Sequence, residues 1–144
     1  LGDVYKRQAE NIIFTPCTGH HESANPLPDP PLSWFSFDPT KSLSKYGTSL
    51  IAAVQLAFYM GFKEIYLLGC DLGFIKFQHH FSDKYDLGGH MDRSKLDTTM
   101  TSAHVLMRKA AEASKIQIFN CTPGGYLEVH PRKSLDEVMG ETDA

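Results

Sequence analysis

Cysteine is scarce in this chain of 144 residues: three, Cys17, Cys70 and Cys121, an odd number with no C-x-x-C pair among them. That argues against a disulfide framework and a zinc ribbon, and it fits a reducing cytoplasm. Long apolar runs are lacking too. The longest, over 50–60, is interrupted by Gln55 and falls short of the about 20 residues that a bilayer helix needs. Charge of one sign is missing: 14 Lys and Arg against 17 Asp and Glu leave a net −3. The basic residues are scattered rather than striped, which is a poor footprint for nucleic acid. Neither G-x-G-x-x-G nor G-x-x-x-x-G-K-[ST] occurs, so dinucleotide and Walker-type loops have no support in these residues.

What is present suits one ordinary domain. Hydrophobic residues are 42% and charged residues 22% of the chain, enough for a real core. Residues 1–8 bear no relation to the rest of the chain and resemble the adapter-derived translation that heads truncated metagenomic proteins. They are expected to be non-native, with 9–144 the C-terminal part of a single α/β domain.

The local patterns alternate between strands and helices. Ile12, Ile13 and Phe14 form a β-prone run stopped by Pro16. From 16 to 44 the chain carries six of its eight prolines and keeps no period, so it reads as a surface excursion anchored by Trp34, Phe35 and Phe37. Gly47, Thr48 and Ser49 then supply a flexible start and a hydroxyl cap for a helix over 50–60, apolar except at Gln55 and expected to be wedged deeply against a sheet. Gly61 suits a left-handed helix end, with Phe62 placed to pack back on the last turn. Ile65, Tyr66, Leu67, Leu68 and Gly69 read as a central parallel strand. A second excursion, 70–95, precedes an amphipathic helix over 97–114, with His104 on its polar face. Residues 116–119 are the next strand, and Ser134 with Glu137 has capping-box spacing for a last short helix.

This order predicts a Rossmann-like, mostly parallel sheet with helices on its faces, whose ligands sit outside the carboxyl ends of the strands. The candidates gather there. Gly47, Thr48 and Ser49 read either as an anion site at a helix start or as an ordinary cap. Asp71 directly follows a buried strand and could hold a metal, orient a ribose or merely cap a turn. Asn120 and Thr122 follow the next strand. Between them, 78–90 holds His79, His80 and His90 with Tyr85, where an imidazole could act as general acid or base and the phenol could bond a leaving phosphate. The histidine spacing matches no zinc pattern and fails the calcium-loop rule. Cys70 reads as a small strand-end residue rather than a nucleophile.

Three stretches carry a family likeness: Phe35-Ser36-Phe37-Asp38-Pro39, Tyr46-Gly47-Thr48-Ser49, and the run from Tyr59-Met60-Gly61-Phe62 through Leu68-Gly69-Cys70-Asp71. Together with His80-Phe81, Asn120-Cys121-Thr122-Pro123-Gly124-Gly125 and Pro131-Arg132, they resemble the family of the archaeal 6-hydroxymethylpterin diphosphokinase MptE. Bacterial members of that family are linked to surface-polysaccharide and flagellin glycosylation. The helix-strand core is also similar to that of bacterial sialyltransferases that use CMP-sugar donors. The resemblance implies a transferase with a nucleotide-activated donor, either a sugar nucleotide or ATP as pyrophosphate donor; the cofactor stays open, with Mg²⁺ beside the donor the candidate and Asp71 its candidate ligand. It places donor contacts on Thr48 or Ser49 and the base on His80 or His90. Gly73 departs from the sialyltransferases, which carry a tyrosine there. Two other classes stay open: a non-catalytic nucleotide- or partner-binding domain, and a metal-dependent hydrolase with its metal at His79, His80 or His90.

Overall fold

The structure is a computed structural model and describes residues 16–18, 26–72 and 93–140. Among them the order is β1 (Cys17–Thr18), a 3-10 turn (Leu32–Trp34), β2 (Leu43–Ser44), α1 (Leu50–Tyr59), β3 (Glu64–Leu67), α2 (Arg93–Ser114), β4 (Gln117–Asn120) and α3 (Leu135–Gly140). β1 pairs in parallel with β2, and β3 in parallel with β4, with Ile65 opposite Ile118 and Tyr66 opposite Phe119. The class is therefore mixed α/β with parallel pairing. Its described strands form two separate pairs rather than one wide sheet. The strand expected at Ile12–Phe14 lies outside the described residues. No helix among those described is long and apolar enough to cross a membrane.

β3 is shorter at its end than the apolar run suggested, because Gly69 turns to φ 77 and the extended backbone stops before it. α1 buries Ile51, Val54, Gln55 and Phe58, an i, i+3, i+4, i+7 face, against Ala103, Leu106, Met107 and Ala110 of α2 within one core. Its opposite face is not wedged as its composition suggested. Leu56, Tyr59 and Met60 are 45%, 56% and 70% exposed. The helix ends as expected: Gly61, at φ 85, donates to Phe58 O, and Phe62 N–H reaches back to Ala57 O at 3.2 Å. These are the paired 5→2 and 6→1 bonds of a Schellman end. Phe62 itself does not fold back into cover and stays exposed. α2 ends in the same way through Lys115, a non-glycine residue at φ 54, with Ile116 N–H donating to Ala111 O. α3 has the expected capping box, in which Glu137 N–H donates to Ser134 Oγ and Ser134 N–H to the Glu137 carboxylate.

Gln55, the polar exception on α1, is fully buried and uses every side-chain hydrogen-bonding group it has. Its Oε1 accepts from Ser36 N–H and Ser44 N–H at 2.9 Å each, and its Nε2 donates to Ser44 O at 3.0 Å and Ile51 O at 2.9 Å. It thereby stitches the proline-rich excursion and β2 to the helix. Phe35 lands beside it in the core, with its ring 5.0 Å from that of Phe58, while Phe37 stays exposed. Tyr46 makes the second tie. It is buried, accepts from Leu27 N–H at 3.2 Å and hydrogen-bonds Ser102 of α2. The long excursion is held by these few polar pins, and no periodic pattern announces them.

Replacing Gln55 with Leu keeps the volume but strands two N–H groups and one carbonyl in a dry site. The expected loss is about 3 kcal/mol in urea unfolding, since each buried unpaired group costs roughly 1–3 kcal/mol. A loss below about 1 kcal/mol would show that these contacts do not hold the excursion.

Candidate functional site

β3 and β4 run in parallel and finish at one edge, and each is followed by a turn that needs unusual backbone. After β3, Gly69 and Leu72 both take left-handed conformations, flanking Cys70 and Asp71. For Leu72 that conformation costs about 1–2 kcal/mol, because its Cβ crowds the following carbonyl. After β4, Gly124 and Gly125 take φ 71 and 77. Gly125 is the position where close approach demands glycine: a Cβ there would stand 2.4 Å from Asp71 O and 2.6 Å from its Cα. The backbone N–H groups of Tyr126 and Leu127 donate to the same Asp71 carbonyl.

Side chains from the second turn complete the join. Asn120 is buried. Its Nδ2 donates to Cys70 O at 3.3 Å and Leu127 O at 3.1 Å, and its Oδ1 accepts from Thr122 N–H at 3.0 Å. Thr122 Oγ1 accepts from Cys70 N–H at 2.8 Å. Arg132 then locks the glycine turn from outside. Its guanidinium donates to Thr122 O, Gly124 O and Gly125 O, and it forms a two-pronged pair with Glu128 at 2.8–3.0 Å. The hydrogen bonds from Arg132 hold the Glu128 carboxyl below its usual range. Burial, with the Asp71 carboxylate beside it, raises the Cys70 thiol, which keeps it protonated and a poor nucleophile.

A cavity of about 650 Å³ opens at this edge, lined by Leu68, by residues 120–124 and by Arg132 to Glu137. Its size falls in the range of small-molecule sites, about 300–1,000 Å³. Asn120 and Thr122 are in its wall, but the Asn120 amide and the Thr122 hydroxyl are turned to the chain itself. Asp71 is exposed and contributes none of the lining. The structure thus brings Asp71, Asn120 and Thr122 together through backbone and amide contacts.

Gly47, Thr48 and Ser49 are not brought into that cluster; they start α1 beside α2. Gly47, at φ 70, presses against α2, where a Cβ would meet Thr99 O at 2.5 Å and the Ala103 Cβ at 2.8 Å. The hydroxyl cap belongs to Thr48, whose Oγ1 accepts from Leu50 N–H at 3.3 Å. Ser49 has helical backbone, φ −64 and ψ −24, and makes no side-chain cap bond, so the hydroxyl cap expected from this stretch comes from Thr48. His80, His90 and Tyr85 lie outside the described residues, as do His79, His20 and His21.

His104, expected on a polar helix face, and His130 prove to be partners. His104 is not on a solvated face: it is 3% exposed, and its Nδ1 lies 3.0 Å from Nε2 of His130, itself 2% exposed. The signal was present in α2, since His104 shares an i, i+3, i+7 face with the buried Met107 and Ala111. Burial lowers both imidazoles, His104 to about 4 and His130 to about 3, so both are neutral at pH 7. Among the described residues, no group of three or more His, Cys, Asp or Glu is placed to hold a metal ion.

The two glycines of the second turn should respond differently to the same substitution. Gly125→Ala meets backbone and should cost about 3 kcal/mol in thermal or chemical unfolding, whereas Gly124→Ala meets open space and should cost only the left-handed penalty of about 1–2 kcal/mol. Equal losses would contradict the contact with Asp71.

A scan against protein-family models found no match, and searches of curated proteins and of solved structures found none either.

Proposed function

We propose that the chain belongs to a Rossmann-like transferase domain that uses a nucleotide-activated donor in the cytoplasm. The donor is a sugar nucleotide or ATP as pyrophosphate donor. The observation that carries this reading is the cavity of about 650 Å³ at the carboxyl end of a parallel strand pair, where α/β proteins place their ligands. The family likeness of the flanking motifs supports the choice of chemistry. In this reading the helix start at Gly47, Thr48 and Ser49, which stands apart from that cavity and has its Thr48 N–H on Tyr46 O, is a second donor contact, for phosphate. Asp71, with an exposed carboxylate on a fixed backbone, orients the donor or its Mg²⁺. Mg²⁺ commonly takes one or two carboxylates together with substrate phosphates, so a lone Asp71 fits that role better than a protein-only metal cage. His80 or His90 serves as base and Tyr85 as phosphate contact. Asn120 and Thr122 shape the floor instead of reaching for the ligand.

The inward use of Thr48, Asn120 and Thr122 favours a second reading, a non-catalytic binding domain of the same fold. Calorimetric titration with CMP, UDP-sugars and ATP, with and without Mg²⁺, tests the nucleotide site. Saturable binding is expected, weakened at least about 10-fold by Asp71→Ala, which corresponds to loss of about 1.4 kcal/mol. No saturable binding to any of them would overturn the proposal. Binding without turnover against candidate acceptors would select the non-catalytic reading.

A further inference from the structure

The segment 128–133 gives Arg132 and Lys133 to the wall of the strand-end cavity, while its Val129, His130 and Pro131 line a neighbouring cavity beside α2, and it is fastened on both sides. On the β4 side, Asn120 N–H donates to Pro131 O at 2.9 Å and Lys133 N–H donates to Asn120 O at 3.3 Å. Arg132 ties the same span to the glycine turn. On the α2 side the contact is His130 on His104, with the two rings edge-on at 72° and their centroids 5.2 Å apart. A bond between two imidazoles has a special requirement. One nitrogen must carry the hydrogen and the other must be bare, so a doubly protonated pair loses the bond and buries two like charges.

We propose that the His104–His130 pair is an acid-opened latch that holds segment 128–133 on α2 and so keeps the wall of the strand-end cavity in place. The latch is independent of what the cavity binds.

The charged surroundings favour the neutral, closed form. From α2, Arg108 faces His130 and its cation opposes protonation; Glu112, 3.7 Å from Arg108, lines the same neighbouring cavity as His130. From the segment itself, Arg132 is turned to Glu128 and the loop carbonyls, and Lys133 lies over the Tyr66 and Phe119 rings at 6.0 and 5.4 Å. From β4, the buried Ile118 adds no charge.

The sign comes from burial. In the closed form both imidazoles titrate well below their ordinary 6.5, at about 4 and about 3. Once open to water they regain it. The open form therefore binds more protons at every pH between 6.5 and those values. Closure is fully favoured above about pH 6.5 and is lost progressively as pH falls. Each histidine raises the open population about 10-fold per pH unit, and the two together about 100-fold.

Hydrogen exchange of the 144-residue chain, followed by mass spectrometry from pH 7 to 4.5 and corrected for intrinsic exchange rates, reads this directly. Amides in 120–133 should open progressively below pH 6.5, ahead of those in 51–58. His130→Gln, which keeps a donor and an acceptor but does not titrate, should reduce the slope to at most about 10-fold per pH unit. Imidazole carbon-bound proton shifts in the wild type decide the matter if that variant does not fold, because both rings should stay neutral down to pH 5. Exchange in 120–133 that ignores pH, opening of 51–58 in step with it, or rings titrating near 6.5 would each overturn the latch.

Discussion

Asn120 ends β4 with its amide turned inward, and the strand-end geometry depends on what that amide satisfies. Where two parallel strands stop, the chain must leave the ladder, and each departing backbone group loses its partner unless a side chain supplies one. Asn120 has two donors and an acceptor, which meet Cys70 O, Leu127 O and Thr122 N–H. Its backbone is paired on the far side with Pro131 and Lys133. One buried residue therefore joins β3, β4, the glycine turn and segment 128–133. The Asp71 carbonyl is met in turn by Tyr126 and Leu127 N–H, from the turn that Asn120 anchors.

Gln55 solves the matching problem on the other side of the core. The excursion that crosses α1 brings Ser36 and Ser44 into a dry region, and their backbone groups are met by a single amide from the helix. In both places a side-chain amide replaces missing secondary structure. Such groups are costly when left half-satisfied, so they fix position more sharply than apolar contacts of similar area. The outer face of α1 is a contrast. Leu56, Tyr59 and Met60 face solvent without charge beside them in the helix, although the composition suggested burial on all sides.

The helices and the four-residue strands are legible because their signals are local. The apolar face at Ile51, Val54 and Phe58, the Gly61 end and the Ser134–Glu137 box each specify geometry within a few residues. β1 and β2 are not legible, since two-residue strands such as Leu43–Ser44 have no period to show, and the pairing that defines them is with residues far along the chain. His104 is misplaced by its residue type, which suggests solvent, while its spacing with Met107 and Ala111 points to the core. Topology alone locates the strand-end cluster. The roles of Asn120 and Thr122 within it are not readable, because a polar side chain at a strand end serves a ligand and its own backbone with the same atoms, and only contacts distinguish the two. Arg132 goes unassigned for a related reason: apart from Glu128, its partners are carbonyls of the glycine turn, which leave no mark in a sequence.

The most direct measurement is amide hydrogen exchange at Cys70, Thr122, Tyr126 and Leu127 in the wild type and in Asn120→Ala. If Asn120 frames the strand ends, these amides are strongly protected in the wild type and lose protection together in the variant, while those in 51–58 keep theirs. If only Thr122, the direct partner, changes, or if none does, the strand ends are held by something other than Asn120 and its role as their frame is wrong.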